Sequence, residues 1–216
     1  MGFARLRYFV SGGAALAPAT EQFFHALGMP ILEGYGLTEA SPVVSVNRPG
    51  RLRLGTVGPP LPGVELRLSR AGEVLVRGAS VMSGYWRRPQ ETAEALDAEG
   101  WLHTGDLGEL DEAGHLRLTD RLKDLLVLSS GKNVAPQPIE NALLASPYLA
   151  QIVLLGEGRP YVTALIVPCF PRLQAWARQQ SPPHPEDSAS LVQSEQVRRL
   201  IRRELDRLSS GLADFE

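Results

Sequence analysis

The segment at residues 31–41, ILEGYGLTEAS, constrains the fold more than any other part of the chain. An apolar pair leads into two glycines around an aromatic residue, and a hydroxyl and a carboxylate follow side by side. Upstream, an apolar run at 6–10 ends at a Gly-Gly turn, and a short helical pattern at 20–27 precedes Gly28. Strand, turn, helix and strand together predict part of an α/β sheet, with glycine loops at the strand ends where ligands usually bind.

Composition excludes several classes of protein. The chain has 216 residues, of which 44% are hydrophobic and 21% charged, and its net charge of −2 gives no reason to expect a nucleic-acid partner. The single cysteine, Cys169, rules out an intrachain disulfide and suits a reducing compartment. No stretch approaches the roughly 18 apolar residues that span a bilayer. We therefore predict a cytoplasmic chain without a transmembrane segment.

The pattern of apolar, polar and turn residues changes near residues 55 and 120. Apolar and polar residues alternate between Gly/Pro turns from residue 55, which predicts the hairpins of a compact antiparallel barrel or sheet. A charged hexapeptide at 120–125 follows, and then come a strand, a Ser-Ser-Gly turn, a proline-started helix and two further strands. Two amphipathic helices flank a polar loop at 181–188, the second of them running over 190–212. These patterns predict a separate α+β block after the hexapeptide.

Two glycine-rich segments are candidates for ligand binding. The small residues at 11–15 leave backbone N–H groups free to contact a ligand, although a tight turn explains them equally well. Thr38 and Glu39 supply hard oxygens, which suit Mg²⁺ and phosphate. The glycines on either side of Tyr35 predict a ring that is open to stack on a flat ligand. On spacing alone, a strand-end turn with exposed polar tips is an equal alternative.

Two later segments carry further candidates. Asp106, in WLHTGD, could accept two hydrogen bonds from a ribose diol, although by itself a turn-capping aspartate is the simpler interpretation. His103 and His115 have no local support for acid–base work, and we interpret both as structural. The alternating charges at 120–125 fit a solvated linker, or equally a hinge whose salt links change between two domain orientations.

Taken together, seven motifs in this order resemble the adenylate-forming (AMP-binding) superfamily, the acyl-CoA synthetases and their relatives. They are SGGAAL, GYGLTE, GTVGPPLPG, GEVLVRG, GYWRRPQET, GWLHTGD and DRLKDLLVLSSGKNVAPQPIE, and they cover about residues 5–145 densely. KNVAPQPIEN is most similar to the long-chain fatty acid–CoA ligases. The resemblance implies the C-terminal part of a large AMP-binding domain at 1–119, with a sheet and an antiparallel β-barrel subdomain. A hinge at 120–125 and a truncated small α+β domain at 126–216 would follow.

The resemblance also implies a reaction. Such enzymes join a carboxylate to AMP from ATP, release pyrophosphate, and pass the acyl group to the thiol of coenzyme A. ATP, Mg²⁺ and coenzyme A are therefore the implied cofactors and cosubstrates, and a fatty acid or another carboxylate is the implied substrate. Peripheral contact with a membrane is compatible with such a substrate.

Each motif residue takes a role by this resemblance. Tyr35 would stack on adenine, Thr38 would contact the phosphate or the acyl carboxylate, and Glu39 would bind Mg²⁺, so that Thr38 and Glu39 are the implied catalytic pair. Asp106 would bind the ribose hydroxyls. The other implied roles are Arg121 for ribose or phosphates, Gly12, Gly13, Ala14, Gly34 and Gly36 for the nucleotide and acyl pocket, Lys123 for the hinge, and Ser130, Gly131 and Lys132 for coenzyme A.

The departures from the family pattern matter as much. The family's Ser/Thr/Gly-rich phosphate loop should lie upstream of SGGAAL, and its catalytic lysine near the C-terminus, whereas the only lysines here are Lys123 and Lys132. We therefore expect a portion of an acyl-CoA synthetase that is inactive alone and has the N-terminal portion of the enzyme as its partner. Two alternatives are a non-catalytic remnant or nucleotide-binding module, and an adenylating enzyme that acylates a carrier-protein thiol.

Overall fold

A computed structural model describes residues 6–180 and 187–210 of the chain. The chain divides into two compact units, Met1–Lys123 (unit 1) and Asp124–Glu216 (unit 2). Of the polar loop expected at 181–188, residues 181–186 lie outside the described residues, and Ser188 already begins a helix. Unit 1 contains β1 (Phe9–Ser11), α1 (Pro18–Ala26), β2 (Ile31–Gly36), a 3₁₀ turn (Thr38–Ala40), β3 (Val43–Val46), β4 (Val64–Leu68), β5 (Glu73–Gly78), α2 (Pro89–Ala95), β6 (Leu102–Leu110) and β7 (Leu116–Arg121).

The first sheet of unit 1 has the strand order β1-β2-β3. β1 and β2 run parallel, with Ser11 opposite Glu33, and α1 forms the crossover that a parallel pair requires. β3 returns antiparallel to β2, with Tyr35 opposite Ser45. The predicted strand–helix–strand segment is thus confirmed. Its first strand begins at Phe9 rather than at residue 6, because Phe9, which pairs with Ile31, is the first residue of β1 that pairs with β2.

The second sheet of unit 1 is antiparallel, in the order β4-β5-β6-β7. Less and more exposed side chains alternate along β4 and β6, as the sequence pattern predicted, whereas three consecutive residues of β5, Val74 to Val76, are buried. The buried side chains of both sheets form one core cluster, which comprises Tyr35, Ala40, Val44, Val74, Val76, Leu102 and Leu116. The predicted α/β sheet followed by an antiparallel sheet is confirmed.

Unit 2 is a small α+β unit, also as predicted. β10 (Leu149–Leu155) and β11 (Thr163–Pro168) form an antiparallel hairpin, and α3 (Pro136–Leu143) and α6 (Glu195–Ser209) contribute to the core on its buried face. Within the described part of the chain, no helix is long and apolar enough to cross a membrane. The elements are β8 (Leu126–Val127), β9 (Asn133–Val134), α3 (Pro136–Leu143), β10 (Leu149–Leu155), β11 (Thr163–Pro168), α4 (Phe170–Arg178), α5 (Ser188–Gln193) and α6 (Glu195–Ser209).

The last amphipathic segment differs from its prediction as a single helix. The chain breaks at Ser194, whose ψ of 124° is extended, and α5 and α6 lie on either side of it. Serine favours such a position because its side chain competes with the helical backbone for hydrogen bonds. Because the chain breaks at Ser194, Leu191 and Val197 enter the same buried cluster. In one continuous helix, two residues six positions apart would lie on different faces.

Candidate functional site

The loop after β1 lies against the backbone of β2. Gly12 and Gly13 are exposed, and a Cβ on Gly12 would lie 3.2 Å from the carbonyl oxygen of Gly34. Gly13 has φ +85°, a conformation that side chains rarely adopt. Ala14 continues this exposed loop. The predicted small-residue segment is therefore exposed backbone that passes close to Gly34 of β2.

Three predicted site residues meet through their side chains. The Tyr35 hydroxyl donates to Oδ2 of Asp106 at 2.6 Å, and Nε of Arg121 donates to Oδ1 at 2.7 Å. Asp106 on β6 faces Arg121 on β7 in the ladder, which sets the second contact. The first contact joins the two sheets across 71 positions of sequence. We call these three side chains the Asp106 cluster.

Burial keeps the Tyr35 phenol of the Asp106 cluster protonated. The Tyr35 side chain lies in the core, and its burial, together with its hydrogen bond to Asp106, raises the pKa of the phenol above its ordinary value. The hydroxyl therefore stays protonated and donates. Asp106 is itself 9% exposed, and its backbone N–H donates to Thr104 Oγ1. A carboxylate has about four acceptor positions, so two remain for further donors.

The burial of Tyr35 departs from the sequence-based expectation of an open ring. Only 7% of the residue is exposed, because it packs with Ala40, Val44 and Leu102 in the core of unit 1. The flanking glycines instead allow neighbouring backbone segments to approach closely. A Cβ on Gly34 would lie 3.3 Å from the Ser45 carbonyl oxygen, and on Gly36 it would lie only 1.8 Å from that of Pro42. Stacking on adenine stays a prediction, with a small part of Tyr35 available for it.

Glu39 is held by a residue that the sequence reasoning missed. Thr38 is exposed and Glu39 half-buried on the 3₁₀ turn that follows β2. The Tyr85 hydroxyl donates to Glu39 Oε1 at 2.9 Å, and this bond raises the pKa of the tyrosine. Met82 N–H donates to the Glu39 carbonyl at 2.8 Å. The motif GYWRRPQET contains Tyr85, but its spacing gave no sign of a contact 46 residues away.

These residues fit a metal ion that is shared with a ligand. Among residues 6–180 and 187–210, no group of three or more His, Cys, Asp and Glu side chains could hold a metal ion. Mg²⁺ is usually bound through one or two carboxylates together with substrate phosphates, rather than by an all-protein cage. Glu39 supplies one such carboxylate, and its Oε2 has no hydrogen-bond partner among the described residues. The arrangement suits Mg²⁺ that arrives with a phosphate.

The residues expected at the hinge and at the coenzyme A channel lie on exposed turns. Lys123 is exposed on the short 3₁₀ turn that ends unit 1. Ser130, Gly131 and Lys132 form the exposed turn between β8 and β9 in unit 2, which a hydrogen bond from Leu128 N–H to the Lys132 carbonyl closes. Their roles, like those of the Asp106 cluster, stay predictions.

Comparison with known proteins decides the family. The family described as AMP-binding enzyme matches residues 2–86, and its C-terminal domain matches residues 123–190. The chain belongs to the AMP-binding enzyme family. Both matched segments carry motifs that the sequence analysis singled out, since the first includes the Tyr35 and Glu39 segment and the second includes Ser130 to Lys132.

Curated relatives in this family are ligases of fatty acids. The long-chain-fatty-acid–CoA ligase FadD15 of Mycobacterium tuberculosis is 44% identical over 175 residues, which are 81% of this chain and 29% of that protein. Human long-chain-fatty-acid–CoA ligase 1 is 35% identical over 227 residues, which are 98% of this chain and 32% of that protein. The chain thus spans about one third of the length of these relatives.

A solved structure shares the fold. The A domain of a carboxylic acid reductase from Segniliparus rugosus, in complex with AMP and a co-purified carboxylic acid, matches with a TM-score of 0.72 and 27% identity. The match covers 95% of this chain and 32% of that one. The α/β and α+β organisation predicted from the motifs is therefore that of the AMP-binding fold.

His103 and His115 each contact another residue of unit 1. His115 is buried, and its Nε2 lies 3.0 Å from the carbonyl oxygen of Arg51. His103 Nδ1 lies 2.9 Å from Glu73 Oε2 on the neighbouring strand. These contacts agree with a structural interpretation of both side chains.

Two buried carboxyl groups that the sequence did not predict, those of Glu33 and Glu21, interact within unit 1. Glu33 on β2 is 9% exposed and Glu21 on α1 is 2% exposed. Glu21 Oε2 accepts from Gly55 N–H at 2.8 Å, while its Oε1 has no partner among the described residues. Burial, and then the charge of Glu21, raise the pKa of Glu33 to about 7. Only the fold could reveal this, because the two residues lie on different elements.

The raised pKa of Glu33 predicts a pH-dependent stability of unit 1. A carboxyl group whose folded-state pKa lies above its unfolded value holds its proton more tightly when folded. The free energy of unfolding should therefore fall as the pH rises from about 5 through about 7. Glu33→Gln should remove on the order of 2 kcal/mol of that dependence. Denaturant unfolding of unit 1 at several pH values measures it.

Glu109→Gln is the matched control, because Glu109 is an exposed carboxylate of the same unit. It should leave the pH dependence of unfolding in place. A Glu33→Gln protein with the same pH dependence as the wild type would show that Glu33 does not carry it.

Proposed function

We propose that this chain forms the ribose-binding side of the nucleotide site of an ATP-dependent acid–thiol ligase. The reaction converts a fatty acid, ATP and coenzyme A to acyl-CoA, AMP and pyrophosphate. The observation that carries this proposal is the Asp106 cluster, in which a nearly buried carboxylate is fixed by Tyr35 and Arg121 and keeps two acceptor positions. A cytoplasmic location accompanies the proposal and is supported by the single cysteine.

The Asp106 cluster suits a ribose and the phosphate next to it. The two remaining acceptor positions of Asp106 match the two hydroxyl donors of a ribose diol. The Arg121 side chain is 48% exposed, and its guanidinium keeps N–H donors beyond the one that Asp106 accepts. Those donors can bind ribose or phosphate oxygens. Tyr35 contributes by holding Oδ2, so that the carboxylate does not rotate away.

Thr38 and Glu39 suit the reacting end of the nucleotide. The attacking carboxylate and the α-phosphate are both anionic, so fixed donors and a cation must reduce their repulsion. Thr38 offers an exposed hydroxyl donor, and Glu39 offers the carboxylate that would hold Mg²⁺. When bound there with the phosphates, Mg²⁺ would supply the positive charge. The exposed loop Gly12–Ala14 would border the adenine and the acyl group.

Two reactions at one site would require a rearrangement between them. We propose that Lys123 lies at the hinge and that the turn of Ser130, Gly131 and Lys132 binds coenzyme A. The chain divides into its two units directly after Lys123, and the turn is exposed, which supports both roles. Rotation of a small domain is a common way to exchange catalytic groups between successive steps.

A second candidate function keeps the adenylate and changes the acceptor. The similarity to the A domain of a carboxylic acid reductase shows that this fold is not restricted to proteins named CoA ligases. A carrier-protein thiol is therefore the alternative to coenzyme A. The two acceptors can be distinguished by supplying the protein with an acyl-adenylate and either purified coenzyme A or a purified carrier protein. We expect the acyl group to be transferred to coenzyme A.

Nucleotide binding tests the proposed site directly. Asp106→Asn should weaken binding of AMP to the 216-residue chain about tenfold, because the charge-assisted acceptors of the ribose hydroxyls are lost. Chemical-shift titration by NMR measures this affinity. Asp206→Asn, which removes an exposed carboxylate in unit 2, is the control and should bind as the wild type does. Equal affinity of the Asp106→Asn and wild-type chains would remove the main support for the proposal.

A further inference from the structure

The contact between Tyr85 and Glu39 has no role in the ribose-binding side of the proposed site. Tyr85 lies in the segment before α2, far in sequence from the 3₁₀ turn that carries Glu39. Its hydroxyl donates to Oε1 at 2.9 Å, and Oε2 is left without a partner among the described residues. A carboxylate acceptor generally makes a stronger hydrogen bond than a neutral acceptor does.

The backbone on either side of Tyr85 is fixed independently of Glu39. Tyr85 N–H donates to Thr92 Oγ1 at 2.9 Å, and the same hydroxyl donates to the Arg88 carbonyl at 2.7 Å. A Cβ on Gly84 would lie 2.7 Å from Thr92 Cγ2, so the chain passes close to α2 at this point. The Tyr85 backbone is therefore held against α2, independently of the contact between its hydroxyl and Glu39.

Glu39 is in turn fixed at two positions. Met82 N–H holds its carbonyl oxygen at 2.8 Å, and Tyr85 holds its side chain. Met82 and Tyr85 belong to one segment, so a single stretch of chain sets both the backbone and the carboxylate of Glu39. A carboxylate with one oxygen hydrogen-bonded in this way presents the other oxygen in a defined direction, as the outer partners of metal ligands commonly do.

We propose that Tyr85 is a positioning residue for Glu39, because it fixes Oε1 and so presents Oε2 to a divalent cation that arrives with the nucleotide phosphates. This inference rests on the proposed function, since it takes Glu39 as the metal ligand. Tyr85 contacts neither the nucleotide nor the reacting atoms in this role. It acts through Glu39 alone, and its removal should weaken the metal while leaving metal-free nucleotide binding intact.

Mn²⁺ in place of Mg²⁺ makes the effect measurable. The full chain is titrated with Mn²⁺ in the presence of ATP, and bound Mn²⁺ is followed by electron paramagnetic resonance and water-proton relaxation. Tyr85→Phe should lower the affinity for Mn²⁺ about tenfold, which is the usual cost of losing an outer partner of a metal ligand. The affinity for metal-free AMP and the thermal unfolding midpoint should both stay at the wild-type values, a pattern that a purely structural role would not give.

Tyr161→Phe is the matched control, because Tyr161 is a 62% exposed tyrosine in unit 2, and it should leave Mn²⁺ binding unchanged. Glu39→Gln should abolish the binding of Mn²⁺ that Tyr85 supports. If Tyr85→Phe binds Mn²⁺ as tightly as the wild type, or loses metal-free AMP binding to the same extent, the positioning role is wrong while the proposed function stands. A wild-type chain that binds no Mn²⁺ with ATP overturns this inference, and intact AMP binding in the same chain would still preserve the ribose site.

Discussion

A polypeptide of these 216 residues, assayed on its own, should form no acyl-CoA from a fatty acid, ATP and coenzyme A. Its only lysines are Lys123 and Lys132, and neither occupies the place near the C-terminus that the resemblance gives the catalytic lysine. Removal of one donor that stabilises transition-state charge already costs roughly 10²–10³ in rate. Because these 216 residues contain neither such a lysine nor the phosphate loop, the rate should be lower than that of a complete ligase by at least about 10³-fold.

Chromatographic detection of acyl-CoA measures this rate. The Glu39→Gln chain is the background control, because it lacks the implied metal ligand and any product found with it comes from a contaminating enzyme. Acyl-CoA formed by the wild-type chain above that background would contradict the expectation. It would show that these residues complete the reaction without a phosphate loop or a C-terminal lysine.

Gly36→Ala should be the most destabilising single substitution within the candidate site. A Cβ at this position would lie 1.8 Å from the Pro42 carbonyl oxygen and 2.9 Å from the Cα of Val43, and both are backbone atoms that cannot rotate away. The register of the ladder between β2 and β3 shifts between Tyr35 and Gly36, where the two strands already pair irregularly. To make room for the added Cβ, the start of β3 would have to move away from β2. We expect a loss of about 3 kcal/mol or more from the free energy of unfolding of unit 1.

Denaturant unfolding, with hydrogen exchange of the peptides that cover β2 and β3, measures this loss. Gly114→Ala is the matched control, because Gly114 has φ +77° in a turn of the same unit and nothing within 4 Å of its Cβ position. It should cost about 1 kcal/mol through backbone strain alone. Equal losses in Gly36→Ala and Gly114→Ala would show that β3 can yield, and that the glycine is not kept for this close approach.

Local patterns were sufficient to predict most of the elements. The alternation of apolar and polar residues predicted β4 and β5, and the turn glycines marked where they end, because a half-buried hairpin has few alternatives once its pattern is set. Gly28 closes α1 with φ +72°, as a C-terminal glycine should. The order of the motifs, rather than any one of them, gave the family.

The contacts between distant segments could not be predicted in the same way. Tyr35 looked open because its neighbours are glycines, yet its burial depends on β6 and β3, which pack over it. The bond from Tyr85 to Glu39 spans 46 residues, and the pairing of Glu21 with Glu33 joins a helix to a strand. Such contacts depend on how the elements pack, whereas a sequence pattern records only the period within each element.

We expect the Asp106 cluster to bind a ribose through the two hydroxyl groups of the sugar. The most direct measurement is the affinity of the wild-type chain for AMP, compared with its affinity for the 2′,3′-dideoxy analogue under the same conditions. AMP should bind about tenfold more tightly, and Asp106→Asn should remove this difference. Equal affinities of the wild-type chain for the two nucleotides would contradict the claim.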